Sequence, residues 1–109
     1  MFKPKPQDPR GLHIIIVGCG KVGATLVEQL IKEGHDITII DKSPKKIQAI
    51  TNTYDIMGLV GNGASYSVLM EAGIEDTDLI IAVTESDELN LLCCTVAKQA
   101  TDCAAIARV

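Results

Sequence analysis

Gly18-Cys19-Gly20-Lys21-Val22-Gly23 carries the spacing G-x-G-x-x-G, and Asp41 follows 18 residues after Gly23. These residue types at this spacing bind a dinucleotide pyrophosphate and its ribose. The first glycine permits a tight turn, the second lets backbone amides approach phosphate, and the third lets a helix pack close to a strand. The helix start contributes free N–H groups and about half a positive charge. Asp41 is placed to accept from both hydroxyls of an adenosine ribose. A 2′-phosphate would meet like charge there, which favours NAD over NADP, although Lys42 beside it softens the preference.

The motif has force only in context, and the context is present. Leu12–Val17 is a β-branched run suited to a parallel strand covered on both faces. Ala24–Glu33 then places Leu26, Val27, Leu30 and Ile31 at helical spacing, with Lys21 in the first turn and Gly34 as the stop. Ile37–Ile40 is a second strand. Ser43-Pro44 opens a helix running to Thr53, with Ser as cap and Pro where no donor is needed. Ile56–Val60 is a third strand, closed by Gly61-Asn62-Gly63, and Ser65 caps a short helix ending at Gly73. Leu79–Val83 is a fourth strand, a helix from Ser86 to Ala100 follows, and Ala104–Val109 is a fifth strand. Such alternation predicts an α/β fold: a Rossmann-like, doubly wound parallel sheet in three α/β/α layers.

Ligands bind such sheets at the carboxyl ends of the strands. The residues predicted there are Gly18–Gly23, Asp41-Lys42, Asn62-Gly63, Thr84-Glu85 and Arg108. Each polar one has a second reading. Lys21 either reaches a terminal phosphate or is solvated. Asn62 either contacts adenine or ribose or serves its own turn. Thr84 and Glu85 either face the crevice or serve the following helix. Arg108 either pairs a phosphate bidentately or is an exposed strand-end cation. Cys19 either has a thiol acidified by the helix start or is simply a small residue that fits.

His13 and His35 fall at the amino ends of strands, away from that edge, and no Ser/His/Asp or Cys/His arrangement can be drawn. The reading is therefore a nucleotide-binding domain without catalytic groups. The alternative is the cofactor half of an NAD-dependent dehydrogenase whose substrate domain is absent.

Composition bounds the remaining classes. The chain has 109 residues, 47 % hydrophobic but 3 % aromatic, with net charge −4 and no Trp, which argues against a nucleic-acid surface. No apolar run approaches the ~18 residues of a membrane span. Residues 1–54 carry eight basic and five acidic groups, residues 55–109 two and nine, so anion-binding work fits the first half. Cys19, Cys93, Cys94 and Cys103 have no metal-ligand spacing and are expected as reduced thiols in a cytoplasmic protein. Residues 1–11 read as a flexible Lys/Pro-rich leader, and residues 12–109 as one domain expected to lack its last helix and strand. On the helix from Leu89, residues Leu89, Leu92, Cys93, Val96, Ala97 and Ala100 form one predicted core face. Leu91 and Cys94 fall off it and form either a candidate interface or two ordinary semi-exposed residues.

The segments GCGKVGATLVEQL, TIIDKS, LVGNGAS, LMEAGIEDTDLIIAVTESDELN and AIARV closely resemble the TrkA-type N-terminal domain of the regulator-of-potassium-conductance (RCK, KTN) family. The resemblance covers nearly all of residues 12–109. It implies a cytoplasmic regulatory domain, peripheral to the inner face of the plasma membrane, that binds NAD(H) or, in some members, ATP or ADP. It also implies a homodimer or ring beneath a membrane potassium-translocating pore subunit. By position, Gly18, Cys19, Gly20, Lys21 and Val22 match the family's phosphate loop and Asp41 its ribose acid. Asn62, Thr84, Glu85 and Arg108 match other nucleotide contacts. Lys21 is basic where relatives vary, which leaves a triphosphate preference open. Asn62 is neutral where some relatives carry an acid.

Overall fold

A computed structural model describes residues 11–108. Residues 1–10 of the expected leader and the last residue of the expected fifth strand, Val109, lie outside the described residues.

Five strands alternate with four helices: β1 (His13–Val17), α1 (Lys21–Lys32), β2 (Asp36–Asp41), α2 (Pro44–Thr53), β3 (Met57–Val60), α3 (Tyr66–Glu71), β4 (Leu79–Ala82), α4 (Asp87–Ala100) and β5 (Ala104–Ala107). A single 3-10 turn, Ile74–Asp76, precedes β4. The strands form one parallel sheet in the order β3-β2-β1-β4-β5. The chain winds outward from β1 through β2 to β3, then crosses to β4 on the other side. The fold is thus the doubly wound Rossmann type, and its order reverses between β1 and β4.

Strand β1 shows why both faces must be covered. Ile14, Ile15, Ile16 and Val17 are all buried. Successive side chains of a strand point to opposite faces. Ile14 and Ile16 join a core with Val27 of α1 and Ile47 and Ile50 of α2. Ile15 and Val17 join a second core with Leu69 of α3 and Cys93 and Ala97 of α4. A strand buried twice cannot alternate polar with apolar, hence the unbroken run in the sequence.

The helix boundaries have identifiable causes. Ser43, Ser65 and Ser86 cap α2, α3 and α4, each accepting from the amide three residues on. Gly34 and Gly73 take positive φ at +87° and +88°, which ends α1 and α3 cheaply. One expectation fails on α4. Leu92, assigned to the core face, is 52 % exposed beside Leu91 at 53 %, while Cys94, assigned off it, packs against the core. The sheet beneath α4 is met by Asn90, Cys93 and Ala97, so the buried stripe is rotated from the one that apolarity alone marks.

Candidate functional site

The loops that leave the strands are tied to one another. The Gly18 N–H donates to Ile40 O at 2.8 Å, Gly61 N–H to Asp41 O at 3.0 Å, and Val83 N–H to Val17 O at 2.8 Å. These bonds extend the ladders past the strand ends and bring the loops after β1, β2, β3 and β4 to one edge. A cleft of about 310 Å³ opens there, at the point where strand order reverses. That volume falls within the roughly 300–1,000 Å³ of small-molecule sites.

The three glycines of the first loop differ in why they are glycine. Gly18 has φ +112°, and an added Cβ would lie 2.9 Å from Thr84 N. A Cβ at Gly23 would collide with the Gly18 carbonyl oxygen, so the first turn of α1 can approach the loop only without one. Gly20 has φ −83°, open to any residue, and a Cβ there would meet nothing within 4 Å. Neither its backbone nor its neighbours require glycine. The space beside Gly20 belongs to the cleft, which Gly20 lines. It is also the N-cap of α1, a helix with no side-chain cap and no acid in its first turn. Among the described residues no side chain caps the free amides of this helix end.

Asp41 ends β2 and holds two loops in register. Its Oδ2 accepts from Cys19 N–H at 2.7 Å and its Oδ1 from Ser43 N–H at 2.8 Å. A carboxylate offers about four acceptor positions, so about two remain for a ligand. Cys19 is buried, and its thiol donates to Lys46 O at 3.6 Å. Burial first, then the Asp41 carboxylate, pushes this thiol up, against a smaller lowering by Lys46. The acidified-thiol reading of Cys19 is therefore corrected. Desolvation outweighs the helix start, and the small-residue reading stands.

Of the predicted residues, Gly18, Gly20, Asp41, Lys42, Gly63, Thr84 and Glu85 line the cleft together. Gly63 lies so close to β1 that a Cβ would run into Val17. Cys19, Lys21, Val22, Gly23, Asn62 and Arg108 are not among the lining residues. Lys21 and Val22 are exposed on the first turn of α1. The Asn62 side chain accepts from Ala64 N–H at 2.9 Å, the turn role that was one of its two readings. Arg108 is exposed, and its N–H extends the β4–β5 ladder to Ala82 O.

Lys46, Gly61, Ser86 and Leu89 line the cleft without having been singled out. Lys46 had a usable signal, because a helix starting at Ser43-Pro44 carries its first turn to the carboxyl end of β2. His13 opens β1, about 13 Å from Val17 at four strand rises of roughly 3.3 Å, and His35 precedes β2 at the same edge of the sheet. There His13 Nδ1 pairs Asp36 at 2.9 Å, and His35 Nδ1 accepts from Leu12 N–H.

Comparison with known proteins adds three findings. The family model of the TrkA-N domain matches residues 14–109. The chain is 44 % identical over 85 residues to the Trk system potassium uptake protein TrkA of Azorhizobium caulinodans, covering 78 % of this chain but 19 % of that protein. It therefore spans about a fifth of that relative's length. Among solved structures, the NAD(P)-binding domain of an exopolyphosphatase-related protein from Archaeoglobus fulgidus superposes with TM-score 0.80. The two share 23 % identity, over 90 % of this chain and 73 % of that one. The GsuK channel bound to NAD gives TM-score 0.75 at 21 % identity, over 92 % of this chain and 18 % of that one.

Proposed function

The chain belongs to the TrkA-N domain family, and from that premise we propose that it is a regulatory nucleotide-binding domain of potassium transport. The observation that carries the reading is Gly20, a glycine that nothing among the described residues requires, beside open cleft space at a helix start without a side-chain cap. That combination suits a group with several anionic oxygens that must approach the backbone closely. The GsuK structure, as its title states, is of a channel bound to NAD, and the cleft supports the same ligand class here.

NAD(H) fits best, with ATP or ADP next. The amides from Gly18 to Val22 and the start of α1 would hold phosphates, with Lys21 at the rim for a terminal one. The unused acceptor positions of Asp41 would hold ribose hydroxyls. Lys42, Asn62, Gly63, Thr84, Glu85 and Arg108 would complete the surroundings. His13 and His35 lie at the opposite ends of their strands, which supports binding without turnover.

Control would follow from differential affinity. Two ligands, such as NAD⁺ and NADH, must bind two conformations unequally, since equal affinity shifts no population. In this reading the domain assembles as a homodimer or ring, on the cytoplasmic side of a membrane potassium-translocating subunit. Among the described residues no helix is long and apolar enough to cross a membrane.

Calorimetric titration with NAD⁺, NADH, ATP and ADP tests the proposal. The wild-type chain is expected to bind at least one of them. Gly20→Ala is expected to weaken that binding tenfold or more while melting at the wild-type temperature. No heat with any of the four, or unchanged affinity in Gly20→Ala, overturns it.

A further inference from the structure

Asn90 lies in the first turns of α4 with its side chain wholly buried. Burying a primary amide costs stability unless each polar atom finds a partner. Here each does. Asn90 Oδ1 accepts from Thr84 N–H at 2.9 Å and from Thr84 Oγ1–H at 2.6 Å. Asn90 Nδ2 donates to Thr84 O at 3.2 Å and to Arg108 O at 2.9 Å.

One side chain therefore holds the segment leaving β4 and the segment leaving β5, and fixes both to α4. The first of these is a wall of the cleft, formed by Thr84, Glu85 and Ser86. The latch continues within that wall, because Ser86 N–H donates to Thr84 Oγ1 at 3.1 Å. The Thr84 hydroxyl is thus used inside the protein, toward Asn90 and Ser86. An apolar residue at position 90 would fill the space among Cys93, Ala97 and the sheet. It would leave the Thr84 amide and the Arg108 carbonyl without these partners.

We propose that Asn90 is a positioning residue of the nucleotide site, setting the β4–α4 wall through Thr84 and tying it to the end of β5 at Arg108. The proposal rests on the nucleotide-binding reading. In it, the wall, the first turns of α4 and the end of β5 move as one piece.

The test is a double-mutant cycle on nucleotide affinity. Wild type, Asn90→Ala, Thr84→Val and the double variant are titrated calorimetrically, each well below its own melting temperature. Amide hydrogen exchange at Thr84 is followed in parallel. Asn90→Ala is expected to weaken nucleotide binding tenfold or more and to speed exchange at Thr84. The double variant is expected to bind no more weakly than Asn90→Ala alone, because residues that act as one unit are not additive. Wild-type affinity in folded Asn90→Ala overturns the proposal, as do additive losses in the double variant. Where Asn90→Ala does not melt cooperatively, Asn90→Leu keeps the bulk and removes the amide, and wild-type affinity in it is equally fatal. Where neither folds, a tenfold affinity loss in Thr84→Val together with faster exchange at the residue 84 amide supports the latch, and wild-type affinity with wild-type exchange there overturns it. The cycle is run with whichever of NAD⁺, NADH, ATP and ADP the wild-type chain binds; a chain that binds none of the four defeats the nucleotide reading first and the latch with it. A wild-type chain that binds, with variants unaffected, defeats the latch alone.

Discussion

The Asp41 carboxylate accepts from the amides of Cys19 and Ser43, so the residue proposed to hold a ribose also joins the glycine loop to the start of α2. Asp41→Ala is therefore expected to lose nucleotide binding and also to cost about 1–3 kcal/mol, the penalty for orphaning part-buried donors. Urea titration of the ligand-free variant measures this second loss, which separates it from Gly20→Ala. The wholly buried Cys93 makes a different prediction. Desolvation, then the neighbouring Cys94, pushes its thiol from 9.0 up to about 11. The native state holds this proton at pH values where the unfolded chain has released it. The stability it contributes is complete below about pH 9 and is lost as pH rises toward 11. Melting temperatures from pH 8 to 11 are expected to fall more steeply for wild type than for Cys93→Ala. At this scale the glycine spacing and Asp41 were legible because each acts through its own backbone or carboxylate. Asn90 was not, since an asparagine between Leu89 and Leu91 has no local feature that distinguishes a buried latch from a solvated amide.

At the scale of elements, periodicity and caps predicted every α-helix and strand among the described residues, with ends displaced by at most three residues. Serine caps, a proline at the first helical position and positive-φ glycines act within a few residues, so they can be read in order along the chain. Which side of a helix is buried depends on what lies beneath it. Helix α4 packs on the sheet at β4 and β5, and that contact leaves Asn90 buried and Leu92 exposed. Leu92→Ser is expected to cost less than about 1 kcal/mol, as surface changes do. Leu69→Ala, at a wholly buried position of α3, is expected to cost about 2–5 kcal/mol. Chemical denaturation of the two variants checks the contrast, and equal losses would return Leu92 to the core.

For the whole molecule, the cleft exists because strand order reverses between β1 and β4, leaving α1 and α4 to diverge above a shared edge. A ligand there touches loops from four strands and can stabilise the fold only by binding the folded state. At a hundred times its dissociation constant, a nucleotide is expected to add about 2.7 kcal/mol. That corresponds to a rise in melting temperature on the order of 10 °C for a domain of this size. Thermal melts of wild type and Asp41→Ala with and without NADH test it, with no rise expected in the variant.

The sequence by itself determined the alternation of elements, the parallel character of the sheet, the place of the glycine loop and the acid that follows it. Each of these is set by local sterics and by the spacing of apolar residues. The tertiary structure alone decided that Gly20 borders open space while Gly18 and Gly23 are forced by contacts. It also decided that Asn90 binds two strand ends to a helix. Those roles depend on which distant segments become neighbours, and that is settled by packing around the two buried faces of one sheet.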